Sequence, residues 1–224
     1  MTSDPAQRLV WDWSVRLFHW LIVLIVPLMW WTAEEGWMDW HRRLGVTMVG
    51  LVVFRLSWGL LGTWTARFLP MIRRLGSVGT YTGELRRRQH KPTFGHNPIG
   101  VLSVFAMLTT LLLQVSTGLF AVDVDGLESG PLAVFVSFDT GRELAEWHEF
   151  NFDVLATFIT LHVAAIVTYQ FILKDNIVRP MVSGRRNSSD FAADTTQDIT
   201  MRPVRFLLAV SIAAACVFAI LNAG

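Results

Sequence analysis

Five long apolar stretches decide what this chain can fold into: Val15–Ala33, Leu44–Thr63, Pro98–Val122, Val154–Leu173 and Val204–Asn222. Each comes close to the roughly 20 residues that a helix needs to cross about 30 Å of hydrocarbon. Inside a bilayer the backbone must satisfy its own hydrogen bonds, so helices are the structure these stretches permit. The expected fold class is therefore all-α, an integral membrane helical bundle with five transmembrane helices. Composition agrees. Of 224 residues only 17% are charged and 52% are hydrophobic, against about 25% charged in soluble domains. Abundant apolar surface also excludes a disordered chain. The single cysteine, Cys216, excludes an internal disulfide and any Cys-rich metal cage, and no C-x-x-C-H is present for covalent haem attachment.

The first stretch reads as a span rather than a cleaved signal, because Glu34 and Glu35 follow it in place of a small-residue cleavage site. Pro27 is predicted to kink it. Asn97-Pro98 reads as an N-cap followed by proline at the first helical position. Thr140 and Glu143 form a capping-box pattern, which predicts that the fourth helix starts well before its apolar core.

The loops carry charge of opposite sign. Between the second and third stretches lie Arg67, Arg73, Arg74, Arg86, Arg87, Arg88 and Lys91 against Glu84. Between the third and fourth lie Asp123, Asp125, Glu128, Asp139, Glu143 and Glu146 against Arg142. Lys174, Arg179, Arg185 and Arg186 follow the fourth. The positive-inside rule then predicts a cytoplasmic N-terminus, a periplasmic C-terminus and an acidic periplasmic loop, in the bacterial inner membrane.

Four of six histidines fall in or at the ends of these helices: His19, His41, His148 and His162. Singly, each is as well explained as a hydrogen-bonded structural residue. Together they are harder to dismiss, since ionisable groups inside a bundle are costly and usually functional. Their depths follow from the alternation of the spans. His19 starts the first helix at the cytoplasmic side and His41 starts the second at the other. His148 is early in the fourth, and His162, fourteen residues on, lies roughly 21 Å deeper on nearly the same face. The histidines thus sort into His19 with His162 and His41 with His148. Two imidazoles from different helices at one depth suit a six-coordinate haem iron. A closed zinc site would want four ligands in one place.

Arg55 lies fourteen residues after His41, near the inner pair, with no acidic neighbour evident in sequence. A haem propionate would answer its charge, and snorkelling to the interface is the alternative. Arg42 and Arg43 beside His41 read as solvated. Gly45 and Gly50 leave room for a flat macrocycle or for close helix packing. Met29, Met38, Met48 and Met107 read as core fillers. His96, at the mouth of the third helix, is a candidate contact for a quinone head group or a propionate, or an interfacial residue beside a cap. His90 reads as solvated.

The segments Arg16-Leu17-Phe18-His19-Trp20, Trp40-His41-Arg42-Arg43-Leu44-Gly45, Trp147-His148-Glu149 and Leu161-His162-Val163, running on to Lys174-Asp175-Asn176, resemble the bacterial di-haem cytochrome b561 family. That family overlaps the b-type cytochrome subunits of nickel–iron hydrogenases, and Gly95-His96-Asn97-Pro98 and Gln114-x-x-Thr117-Gly118 look like that branch. The resemblance implies two haem b groups, one held by His19 and His162 and one by His41 and His148; Arg16, in the first matching segment, joins Arg55 as a candidate cofactor contact. The same resemblance implies a four-helix di-haem domain at 1–182; the chain departs from the short members of the family in an additional helix at 204–224, reached through a polar cytoplasmic linker at 183–203.

The function expected is quinone-linked transmembrane electron transfer, an oxidoreductase-type role without catalytic side chains of its own. The implied partners are membrane lipid, quinone and a periplasmic cytochrome c or hydrogenase. Nothing calls for nucleic acid, and a homodimer stays open. The acidic loop would steer a basic protein and repel superoxide, which weighs against the superoxide:quinone oxidoreductase activity known in the family. A haem-free proton-coupled transporter is the alternative from another class.

Overall fold

The computed structural model describes residues 7–191 and 199–223. A short strand β1 (Gln7–Leu9) leads into α1 (Trp13–Glu34) and α2 (Met38–Leu61). Two short helices follow, α3 (Phe68–Ile72) and α4 (Val78–Arg86), then α5 (Pro98–Gly118) and α6 (Phe138–Val167). A π-helical turn at Thr168–Ile172 continues α6, and α7 (Val178–Ser183), β2 (Arg185–Asn187) and α8 (Pro203–Leu221) complete the order. Five of these helices, α1, α2, α5, α6 with its π-turn, and α8, are long and apolar enough to cross a membrane. The chain is an all-α integral membrane bundle. Its two ends differ in charge, a basic end at the start of α1 and an acidic end at the α1–α2 and α5–α6 connections.

Helix starts follow capping chemistry rather than hydropathy. Asn97 caps α5 as expected, its Oδ1 accepting from Gly100 N at 2.7 Å. For α6 the cap is Ser137, three residues before Thr140. Its Oγ accepts from Thr140 N at 3.2 Å, so Thr140 already lies inside the helix. Both α2 and α6 begin well outside their apolar cores, at Met38 and Phe138; Ser137 caps α6, whereas α2 starts at Trp37 without a side-chain cap.

Asp12 ties the basic end together. It is 3% exposed and caps α1. One carboxylate oxygen accepts from Ser14 Oγ at 2.6 Å and Val15 N at 2.9 Å. The other accepts from Thr63 Oγ1 at 2.6 Å and Trp58 Nε1 at 3.3 Å. The start of α1 is thereby fixed to the end of α2.

The stretch after α6 returns to the same place. β2 pairs antiparallel with β1, Arg8 opposite Arg186. Gly184 accepts from both Val10 N and Trp11 N. It sits at φ +79°, and a Cβ there would lie 2.9 Å from Trp11 O, so the close approach requires glycine. Of the polar linker expected at 183–203, residues 192–198 lie outside the described residues. Beyond them Ile199 is buried with Val10, Trp11, Val15 and Trp58.

In lipid the burial of apolar side chains does not drive helices together, so close contact between small residues does more of the work. α2 is the central helix, packed on α1, α5 and α8, while α6 packs chiefly on α5. The α2–α8 seam uses Ala209 and Ala213, with Gly50 facing Val217.

Asp12→Ala removes a cap and three side-chain hydrogen bonds at once. It is expected to cost about 2–4 kcal/mol, read as a lower thermal midpoint in detergent, with Asp12→Asn losing less.

Candidate functional site

His41 stands in the first turns of α2 and His148 about three turns into α6. Their ring centroids are 6.2 Å apart, with the planes at 81°. One device holds both rings. Nδ1 of His41 lies 2.9 Å from Met29 O, and Nδ1 of His148 lies 2.9 Å from Gln114 O. With Nδ1 donating to a carbonyl, Nε2 of each ring keeps its lone pair for a metal.

A polar seam between α5 and α6 fixes His148 further. Thr117 Oγ1 is 3.2 Å from its Nδ1, and Gln114 Nε2 donates to its backbone carbonyl at 3.0 Å. Asn151 Nδ2 donates to Gln114 Oε1 at 2.6 Å and to Thr110 O at 2.9 Å. A Cβ on Gly118 would stand 2.7 Å from His148 Cε1, so glycine there lets the ring lie against α5. Gln114, Thr117 and Gly118 all converge on one imidazole. Asn151 escaped the sequence reading, although a carboxamide one turn after a histidine was a visible signal.

At the basic end His19 and His162 lie within electrostatic reach of each other, and both within reach of His96. Ser103 Oγ is 3.4 Å from Nδ1 of His162. Nδ1 of His19 is buried without a hydrogen-bond partner. Arg55 does not snorkel. It is 4% exposed, donates to Ala66 O at 3.2 Å and lies over the Phe68 ring at 5.0 Å. Gly59 makes room for that ring, since a Cβ there would come within 2.1 Å of it. Asp12 acts on Arg55 electrostatically, so an acidic neighbour exists that the sequence did not reveal.

His96 packs its ring on Trp11 at 4.5 Å between centroids. Burial first, then the cations Arg55 and Arg74, hold its imidazole down to about 3, so it is neutral at physiological pH. Its Nδ1 is buried and unpartnered. Arg74 clamps the same turn, donating to the carbonyls of Phe94 and His96. Arg16 donates to Val182 O, and its Nε is buried without a partner. Arg42 is paired with Asp39 and Glu128, and Arg43 lies over Trp40. His90 is half-buried rather than solvated, edge-on to Tyr169.

The family model described as prokaryotic cytochrome b561 matches residues 10–184. The chain belongs to this family. Among its relatives is the "Probable Ni/Fe-hydrogenase B-type cytochrome subunit" of Azotobacter chroococcum mcd 1, 24% identical over 217 residues, covering 83% of this chain and 90% of that one. The protein of that name in Rhizobium leguminosarum bv. viciae is 25% identical over 167 residues, 67% of this chain and 68% of the relative. The "Probable Ni/Fe-hydrogenase 1 B-type cytochrome subunit" of Escherichia coli (strain K12) is 21% identical over 220 residues, 83% and 93%. No solved structure matches the chain. Membership makes this cytochrome b561 a haem b protein of membrane electron transfer.

The residues fit such a group. Two nitrogen–metal bonds of about 2 Å each, with the ring radii added, put imidazole centroids about 6 Å apart, as at His41 and His148. Among the described residues no cluster of three or more His, Cys, Asp or Glu could hold a bare ion. A macrocycle supplies the in-plane nitrogens itself and asks the protein only for axial ligands. Near the other pair, Arg16 Nε and His96 Nδ1, which with Arg67 Nε and His90 Nδ1 are buried without a partner among the described residues, are donors that a carboxylate-bearing cofactor could engage.

Gly118→Val pushes a side chain into the His148 ring. It is expected to lower haem retention about tenfold, read as the Soret-to-protein absorbance ratio after detergent washing, with helicity unchanged by circular dichroism. An unchanged ratio would separate Gly118 from the site.

Proposed function

We propose that this cytochrome b561 carries electrons across the bacterial inner membrane through two b-type haems, between the quinone pool and a periplasmic redox partner. His41 and His148 would hold the outer haem through their Nε2 atoms, and His19 and His162 the inner one. The observation that carries this reading is the His41–His148 pair, facing at 6.2 Å with both Nδ1 atoms already committed to carbonyls. Bound there, haem supplies one-electron exchange at iron.

The protein's share is position, dryness and counter-charge. Ile25, Met48, Val52, Leu111 and Leu155 form a buried apolar cluster. Along α1, α2 and α6 their members lie between the histidines of the two tiers, so this layer keeps water out of the middle of the bundle. Arg55, buried at the inner tier, and Arg16, with its free Nε, answer propionate charge. His96, neutral and with Nδ1 free, is placed to hydrogen-bond a quinone head group or a propionate. The basic connections put the N-terminus in the cytoplasm and the C-terminus in the periplasm. The acidic end then faces the periplasm, where a hydrogenase-type protein, as the relatives' names indicate, or a small cytochrome c exchanges electrons. Residues 1–182 carry the haems, 183–203 link, and 204–224 add a further crossing.

Single His→Ala variants test this. The purified protein is expected to hold two b haems per chain. His41→Ala or His148→Ala should leave one, and His19→Ala or His162→Ala should leave the other, distinguishable by reduction potential. Reduction of the outer haem by quinol should slow at least about a hundredfold in the inner-pair variants. A colourless, folded preparation would overturn the proposal.

A further inference from the structure

The α5–α6 connection folds back over the His41–His148 pair. Gly130 N donates to Ala121 O at 2.8 Å, and a Cβ on Gly130 would stand 2.2 Å from the carbonyl of Gly118, the residue against the His148 ring. Glu128 pairs with Arg42, which adjoins His41. Within this cover, Asp123 N donates to Glu128 O at 3.0 Å and Gly126 takes φ +69°, closing a tight turn. The turn lifts two aliphatic side chains clear of the protein, Val124 at 71% and Leu127 at 83% exposure.

These apolar tips lie on a connection outside the five spanning helices. The neighbouring groove of about 490 Å³ is lined among others by Trp37, Asp39, Trp40, Arg43 and Glu128, and this chain's own arginines already serve it, Arg43 over the Trp40 ring and Arg42 on the two carboxylates. Residues 34–43 and 119–153 hold eleven carboxylates against three arginines. Arg42 is spent on Asp39 and Glu128, and Arg142 stands 3.9 Å from Glu146. The field at this end is negative, and an apolar patch in such a rim marks a protein contact. An anionic lipid surface holds segments rich in Lys and Arg and would repel this one.

We propose that the 123–128 turn docks a soluble redox protein whose apolar contact is ringed by lysine and arginine. Leu127 and Val124 enter its apolar centre. The lysines and arginines of its rim meet the net negative charge of this end. The docked partner is then separated from the His41–His148 pair only by the folded-back connection. This inference rests on the electron-transfer reading above and names the partner's chemistry.

The test uses the haem-loaded protein in nanodiscs of neutral phosphatidylcholine, a quinol donor and a lysine-rich c-type cytochrome as probe. The double variant Leu127→Ser, Val124→Ser is expected to slow reduction of the probe about fivefold to tenfold at low salt, with reduction of its own haem by quinol unchanged. Raising salt from about 20 to about 200 mM should slow the unmodified protein by a similar factor. Equal rates for variant and unmodified protein at low salt would overturn the docking surface. So would protection of Leu127→Cys, in a Cys216→Ser background, from a water-soluble maleimide without probe, since the tip would then lie in lipid. If quinol reduces no haem, the electron-transfer reading fails by itself. Docking is then read from salt-sensitive binding of the oxidised probe to the nanodiscs, which the double variant should still weaken.

Discussion

A histidine packed between the helices of a membrane bundle has little water to complete its hydrogen bonding, so the protein must say which ring nitrogen is bound and which is left open. At the acidic end this is done twice with helix carbonyls, Met29 O for His41 and Gln114 O for His148. A helical carbonyl already accepting from the next turn keeps a second lone pair, so it can orient an imidazole without breaking its helix. The cost of an unpaired polar group in hydrocarbon makes such an arrangement stiff. The Gln114–Asn151 bridge extends it, because Gln114 grips His148 through the ring by its carbonyl and through the backbone by its amide. Rotating the imidazole would break several bonds together.

The two ends of the bundle solve different problems. The acidic end ties both histidine rings to helix carbonyls, leaves Asp123 Oδ1 buried without a partner among the described residues, and shows outward a negatively charged cover. The basic end holds a tight structural knot at Asp12 and, beside it, nitrogens that no described residue engages, among them Arg16 Nε, His19 Nδ1 and His96 Nδ1. Knot and open donors are linked, because Asp12 is also the negative charge felt by Arg55. One carboxylate thus caps a helix, joins two helices and tempers a buried cation.

How much of this was legible in the sequence depends on whether the information was periodic. Span count, charge asymmetry and histidine depths were readable because helical rise converts residue number directly into height. The family resemblance was readable in the short motifs around the histidines, and the family model bears it out. Contacts joining distant segments were not. Nothing around Asp12 announces Thr63 or Trp58 as partners, and polar residues 185–187 carry no strand pattern until β1 is beside them. The cap of α6 was misplaced by three residues because Thr140 and Glu143 match a capping box, while the chain turns into the helix at Ser137. Arg55 looked unpaired because its acidic neighbour sits 43 residues upstream, outside any apolar stretch.

The fifth crossing finds its place in the same knot. Phe206, at the start of α8, packs on Trp58 at 5.9 Å, on Phe54 at 6.0 Å and on Trp13 at 5.0 Å between ring centroids. Trp58 is the indole that donates to Asp12. α8 therefore lays an aromatic cover over a carboxylate that would otherwise face lipid or interfacial water through α2. Water reaching Asp12 would compete for its four hydrogen bonds and screen its charge toward Arg55. By this logic α8 works at a distance from the histidines, keeping dry the anchor that fixes where α1, and with it His19, stands against α2.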